Sequence, residues 1–256
     1  MKTVSALTLL MVLASQSALA GECSARTGDK TTALIELYTS EGCDSCPPAD
    51  KWLSALNVDA GRAVPLALHV DYWDYIGWKD PYGSPDYSAR QREAVRLANG
   101  RVSYTPQVMV SGRDARSWGR DGDFRATLEA VNARPARADI TLSASAQASG
   151  VKLEVAAEVK DRAMAPENAL FLAITEDKLV SAVKAGENRG ETLRHDYVVR
   201  ELRSLQRFDG SGLQRAAETF TFKPDWKAKD LSAVAFVQNR RTGEIVQALK
   251  LPLCTR

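Results

Sequence analysis

Cys43 and Cys46 stand three positions apart in TSEGCDSCPPAD, residues 39–50. A two-residue spacer lets both sulfurs meet across one turn, so the pair can cycle between dithiol and disulfide. The same thiols could instead hold a soft ion such as Cu(I), with His69 as a further ligand, or form a permanent staple. Exchange needs a thiolate, and the free N–H groups and positive dipole of a helix N-terminus favour one. Glu36 is the only charged residue in the apolar run Ala33–Tyr38 and lies seven positions before Cys43. In a central strand its carboxylate would be poorly solvated and could accept the proton of Cys46; a structural ion pair is the plain alternative. Thr105-Pro106 directly precedes another strand-like run. A cis bond there would set a rigid backbone edge beside the sulfurs, able to pair with an extended substrate and to keep metal away; a trans proline opening a strand is the ordinary case.

These residues need a scaffold, and the pattern from Thr32 to about Arg134 supplies an alternating one. Ala33–Tyr38 and Ala63–Val70 are apolar runs of strand length. Between them Ala49, Trp52, Leu53 and Leu56 form one face of a helix. Ser84-Pro85 is a cap followed by a first-turn proline, and Asn99-Gly100 is a natural stop. Gln107–Ser111, a short strand ending near Trp118 and a closing helix through Phe124, Leu128 and Val131 complete the order βαβαββα. Beyond Pro135 the period becomes two, as in Ile140, Leu142, Ala144 and Ala146, which predicts an antiparallel sandwich or barrel. The expected organisation is therefore an α/β domain over residues 21–136 and a β-rich, sandwich-like domain over 137–256.

The first twenty residues carry Lys2, an apolar run and Ala18-Leu19-Ala20, the pattern of a cleaved export signal. No run is long enough to span a bilayer, and Glu22 before Cys23 spoils a lipoprotein cleavage site. The expectation is a periplasmic or secreted protein that does not insert into membranes. Against 34 basic residues, one of them Lys2, stand 32 acids, a balance that argues against nucleic acid as partner. The four cysteines allow three pairings. Proximity joins Cys43 to Cys46 and leaves Cys23 and Cys254 either to bridge, a link worth about 5 kcal/mol on the chain-entropy model, or to stand as two free thiols, which an oxidising compartment disfavours. No cofactor is implied.

The βαβαββα order, the cysteine pair and the Thr105-Pro106 step resemble the thioredoxin superfamily. ELYTSEGCDSCPPAD (36–50), HVDYWDYIGWKDP (69–81), Arg90-Gln91, SYTPQVMVSG (103–112) and GENRGETLRHDYVVR (186–200) resemble more closely a bacterial exported family, domain of unknown function 1223. That resemblance implies a thioredoxin-like domain with a C-terminal β-rich extension, and no settled reaction. Resemblance to thioredoxins implies that Cys43 attacks and Cys46 resolves, with thiols or disulfides of exported proteins as partners. Glu41 stands where the family more often has glutamine.

Pro47 and Pro48 lack N–H groups, so a regular helix should start near Cys46, leaving Cys43 outside its dipole. Glu41 and Asp44 add opposing negative charge. A poorly stabilised thiolate predicts a reducing or isomerising couple rather than a strong oxidant. The loop after His69, with Asp71, Trp73, Asp74, Trp78 and Asp80, reads as a packed insertion in preference to a groove wall. His195, flanked by charged residues, is expected on a solvated strand or loop.

Overall fold

The computed structural model describes residues 22–56 and 58–254. The expected export signal, residues 1–20, lies outside them. Among the described residues the chain runs β1 (Glu22–Arg26), β2 (Ala33–Thr39), α1 (Pro47–Ser54), β3 (Ala63–His69), α2 (Pro85–Leu97), β4 (Gln107–Val110), β5 (Arg113–Asp114) and α3 (Asp121–Asn132). It continues through β6 (Ala138–Gln147), β7 (Gly150–Val159), β8 (Asn168–Glu176), β9 (Leu179–Ala182), β10 (Thr192–His195), β11 (Val198–Arg207), β12 (Leu213–Thr221), β13 (Leu231–Asn239) and β14 (Ile245–Pro252).

Local chemistry accounts for the elements nearest the cysteines. Every residue of β2 and of β3 is buried, as befits a parallel pair covered on both faces. Cys46 is the N-cap of α1, and Pro47 and Pro48 fill the first helical positions, where a missing N–H costs nothing. Ser84 caps α2 by accepting from the Asp86 N–H, with Pro85 behind it. The chain leaves α2 through Asn99 at φ 58°, in the left-handed region that asparagine tolerates.

One mixed sheet organises the molecule, in the order β14-β13-β8-β11-β3-β2-β4-β5. β2 and β3 are parallel, and β4 runs antiparallel to β2. The helices α1 and α3 cover one face through Ala49, Leu53, Phe124 and Leu128, which meet Ile35 and Leu37. On the other face Tyr87 and Ala94 of α2 meet Leu34, Tyr38, Leu66 and Leu68. A second, antiparallel sheet, β1-β6-β7-β12, packs Ile140, Leu142 and Leu153 against Leu170, Leu172 and Ile174 of β8.

The expected division near residues 133–138 does not separate two independent layers. β11 joins β3 in parallel where Val198 faces Ala67, so the sheet is continuous across both halves. β1, expected in the first domain, pairs with β6 of the second. The physical reason lies in β8 and β13, which are buried along their whole length. One face packs on the four-stranded sheet; the other, through Phe171 and Phe236, joins the apolar cluster under α2. A free-standing sandwich would leave that second face in water.

Candidate functional site

Cys43 lies in the turn between β2 and α1, and Cys46 lies where the helix begins. The Cys46 N–H donates to the Cys43 carbonyl at 3.2 Å, closing the turn that brings the sulfurs together. They form a disulfide, as do Cys23 and Cys254. The Ala49 and Asp50 N–H groups already donate to the Cys46 carbonyl. With Pro47 and Pro48 in front of them, the helix end has little N–H left for a sulfur.

Both sulfurs are sealed: Cys43 is 1% exposed and Cys46 0%. Neither sulfur is reachable in this closed form, and part of the cover comes from the far half of the chain. β9 and β10 form a hairpin whose connecting loop, residues 183–191, lies over the Cys43 turn. Asn188, itself buried, donates from Nδ2 to the carbonyls of Glu41 at 2.8 Å and Cys43 at 3.0 Å. The Asp44 N–H donates to Glu187 Oε2 at 3.0 Å. On the opposite flank, a Cβ at Gly42 would sit 2.9 Å from Trp73 Cβ, so only glycine fits. Trp73 Nε1 in turn donates to Thr105 Oγ1 at 2.7 Å, and the Thr105–Pro106 bond is cis.

Beneath the disulfide lies a buried polar cluster. Glu41 accepts from Trp78 Nε1 at 2.8 Å and lies 3.1 Å from His195 Nε2, while its own N–H donates to Asp80 Oδ2. Asp80 Oδ2 is 2.7 Å from His69 Nδ1, and the two imidazoles meet edge to face at 4.9 Å. Asp50, one helical turn after Cys46, accepts from Thr39 Oγ1, with His195 Nδ1 3.9 Å away. Burial pushes the Asp50 carboxyl above its ordinary value, against the pull of His195 and His69. Burial also disfavours a charged His69, yet Asp80, joined by Asp50 and Glu41, outweighs it and the imidazole is raised above its usual range. Asp80 is held below the usual carboxylate range despite its own burial, by His69 and by the Glu41 and Tyr82 N–H groups. Among the described residues no group of three or more His, Cys, Asp or Glu side chains is arranged to hold a metal ion.

Several expectations need correction. Glu36 shares its strand face with Leu34 and Tyr38, towards α2 and away from α1. It meets Arg90 Nε at 2.7 Å and accepts from the Tyr38 hydroxyl, so its partner is a guanidinium and not the Cys46 thiol. His195 is 2% exposed, not solvated, because its strand folds back onto the Cys43 turn. Glu41, expected to add negative charge near the Cys43 sulfur, is fully buried and engaged by Trp78 and His195. Asp50 and Asn188 were not anticipated. An acid beside Ala49 on the apolar stripe of α1, and an asparagine between Gly186 and Gly190, were the available signals.

Fold and site together define an α/β protein whose mixed sheet carries a sealed C-x-x-C disulfide over a buried histidine–carboxylate cluster. The chain belongs to the family described as protein of unknown function DUF1223, which it matches over residues 34–238. No curated protein matches it. Among solved structures it is similar to a crystallised protein of Agrobacterium tumefaciens, at 23% identity and TM-score 0.64, covering 90% of this chain and 98% of that one. It is also similar to HBP35 of Porphyromonas gingivalis, at 14% identity and TM-score 0.64, covering 89% of this chain and 76% of that one. At these identities the likeness is one of fold. No helix among the described residues is long and apolar enough to cross a membrane.

Proposed function

We propose that this chain is an exported thioredoxin-like protein whose Cys43 and Cys46 exchange disulfides with cysteines of a protein partner, the sealed bond being its resting oxidised form. The thioredoxin-like part is supported by the order β3-β2-β4-β5, with β4 antiparallel and helices on both faces. The observation that carries the exchange reading is the placement of the pair, Cys43 after the central strand β2 and Cys46 at the start of α1. Two disulfides also suit an oxidising compartment outside the cytoplasm, periplasmic or secreted.

In the reducing direction, the Cys43 thiolate attacks a partner disulfide and one partner sulfur leaves as thiolate. Cys46 then attacks Cys43 in the mixed disulfide, releasing the second partner thiolate and re-forming the internal bond. An external dithiol returns the two electrons. The test is turnover of a model protein disulfide by the mature protein with dithiothreitol, and a Cys43→Ser variant as control. Equal rates in both proteins refute the assignment. A reduction potential near about −120 mV, that of a strong oxidant, refutes the reducing direction.

A second reading is favoured by the burial of both sulfurs: the bond is a permanent staple in a non-catalytic binding module. Its signature is a native Cys43–Cys46 bond that survives millimolar dithiothreitol for as long as the fold survives.

A further inference from the structure

The segment that seals the cysteines is an appendage to the sheet and not one of its strands. It leaves β8 through Lys178 at φ 59° and rejoins β11 through Tyr197 at φ 60°, two non-glycine residues in the left-handed region. Its base is fixed: Leu179 and Leu193 are buried, the Lys178 N–H donates to Asp196, and Ser181 Oγ donates to the Tyr82 hydroxyl. Its tip is folded on itself, with the Val183 N–H on the Glu191 carbonyl and the Gly190 N–H on the Val183 carbonyl. The polar contacts from this tip to the Cys43 turn are few and specific. Asn188 supplies two, Glu187 supplies one, and Gly186 at φ 75° lies against Ile76 and Trp78.

We propose that loop 183–191 is the gate of the cysteine pair and that Asn188 is its latch, holding the Cys43 turn shut until a partner or reductant lifts the tip. The proposal deepens the exchange reading and rests on it for its biological meaning. A thiolate must approach the Cys43–Cys46 bond in line with the two sulfurs, and the closed loop leaves no such approach at 1% and 0% exposure. Opening the tip breaks three hydrogen bonds while the base of the hairpin stays in the core. Local opening of this kind lies below global unfolding in free energy, so reduction should proceed through it without unfolding the sheet.

The experiment is the rate at which dithiothreitol reduces the Cys43–Cys46 bond in the native mature protein, read by alkylation and mass spectrometry of the peptide. Asn188→Ala removes two hydrogen bonds and should accelerate reduction roughly 5- to 150-fold. Glu187→Ala, at an exposed residue and safe for folding, should accelerate it several-fold, and Arg189→Ala, exposed in the same loop, should leave it unchanged. Global stability is measured in parallel by urea. Rates for Asn188→Ala and Glu187→Ala within twofold of the parent overturn the gate, as does acceleration that merely tracks lost global stability. A parent bond reduced as fast as oxidised glutathione also overturns the gate, while leaving the exchange reading intact. Should Asn188→Ala be reduced faster yet turn over no model disulfide, the gate stands and the exchange reading falls.

Discussion

Removing Arg90 would leave the buried Glu36 carboxylate without its cation, with only the Tyr38 hydroxyl still donating to it. Its side chain is 11% exposed and that of Glu36 1%, with Nε 2.7 Å from Glu36 Oε1 and Nη1 3.3 Å from Gln238 Oε1. The guanidinium also lies 5.2 Å from the Phe171 ring centre and 5.1 Å from that of Phe236. Arg90→Met keeps the packing but strands Glu36, which should cost about 3–5 kcal/mol. Lost cation–π contact adds about 0.5–2 kcal/mol. That is a large share of the roughly 5–15 kcal/mol typical of a folded domain. The double variant Arg90→Met/Glu36→Leu removes both charges, leaving chiefly the Tyr38 hydroxyl without its acceptor, a cost of about 1–3 kcal/mol. The double variant should therefore be more stable than either single one. Urea unfolding of the four proteins closes the cycle. A cost below about 1 kcal/mol for Arg90→Met, or a double variant as unstable as the summed singles, refutes the pairing. The same cycle bears on function: with Glu36 committed to Arg90, Glu36→Gln should leave the pH profile of Cys43 alkylation in the reduced protein unmoved.

Three other outcomes are expected. Gly42→Ala forces a Cβ to 2.9 Å from Trp73 Cβ and should cost about 1–3 kcal/mol in urea unfolding, whereas Gly28→Ala meets nothing within 4 Å and should be near neutral. Cys23→Ser with Cys254→Ser opens a link across 231 residues and should lower stability by up to about 5 kcal/mol; an unchanged urea midpoint refutes the link's contribution. The His69–Asp80 pair should set a pH window. Asp80, held low when folded, contributes above about pH 3.9 and loses that contribution as pH falls through its folded value. His69, raised when folded, contributes fully below about pH 6.5 and loses it as pH rises through its folded value. Asp50, raised by burial, opposes Asp80, its own contribution fading as pH climbs above about 3.9. The decline of the urea midpoint from pH 6.5 to 8 should therefore flatten in His69→Asn, and an identical slope refutes the assignment.

How much of this was legible in the chain depended on whether the signal was local. The Ser84 cap, the start of α1 at Cys46-Pro47 and the continuous apolar runs of β2 and β3 are written in neighbouring residues, and each lies where its pattern places it. The partners of the site are written at a distance. Arg90 lies 54 residues from Glu36, and His195 lies 154 from Glu41. No periodicity specifies such pairings, because a lone charge in an apolar strand fits a proton acceptor and an ion pair equally well. The hairpin of β9 and β10 was missed for a related reason: its strands are four residues each, and its loop of glycine and charged residues reads as solvent-facing. The runs Ala169–Thr175 and Leu231–Gln238 did carry a usable signal. They are apolar on consecutive positions, which implies cover on both faces and argues against a free-standing sandwich.

The two halves therefore depend on each other in both directions. The first half lends α2 to cover Phe171 and Phe236, and lends the edge of β3 to β11. The second half returns His195, Asn188 and Glu187 to the Cys43 turn. An excised segment 21–136 would expose the β3 edge, leave Glu41 without its histidine and uncover the disulfide. Faster reduction of such a fragment would report the loss of the hairpin together with the loss of the sheet. Substitutions at the tip of the hairpin in the whole chain separate these effects, since Glu187 and Arg189 are exposed and neither belongs to the apolar core.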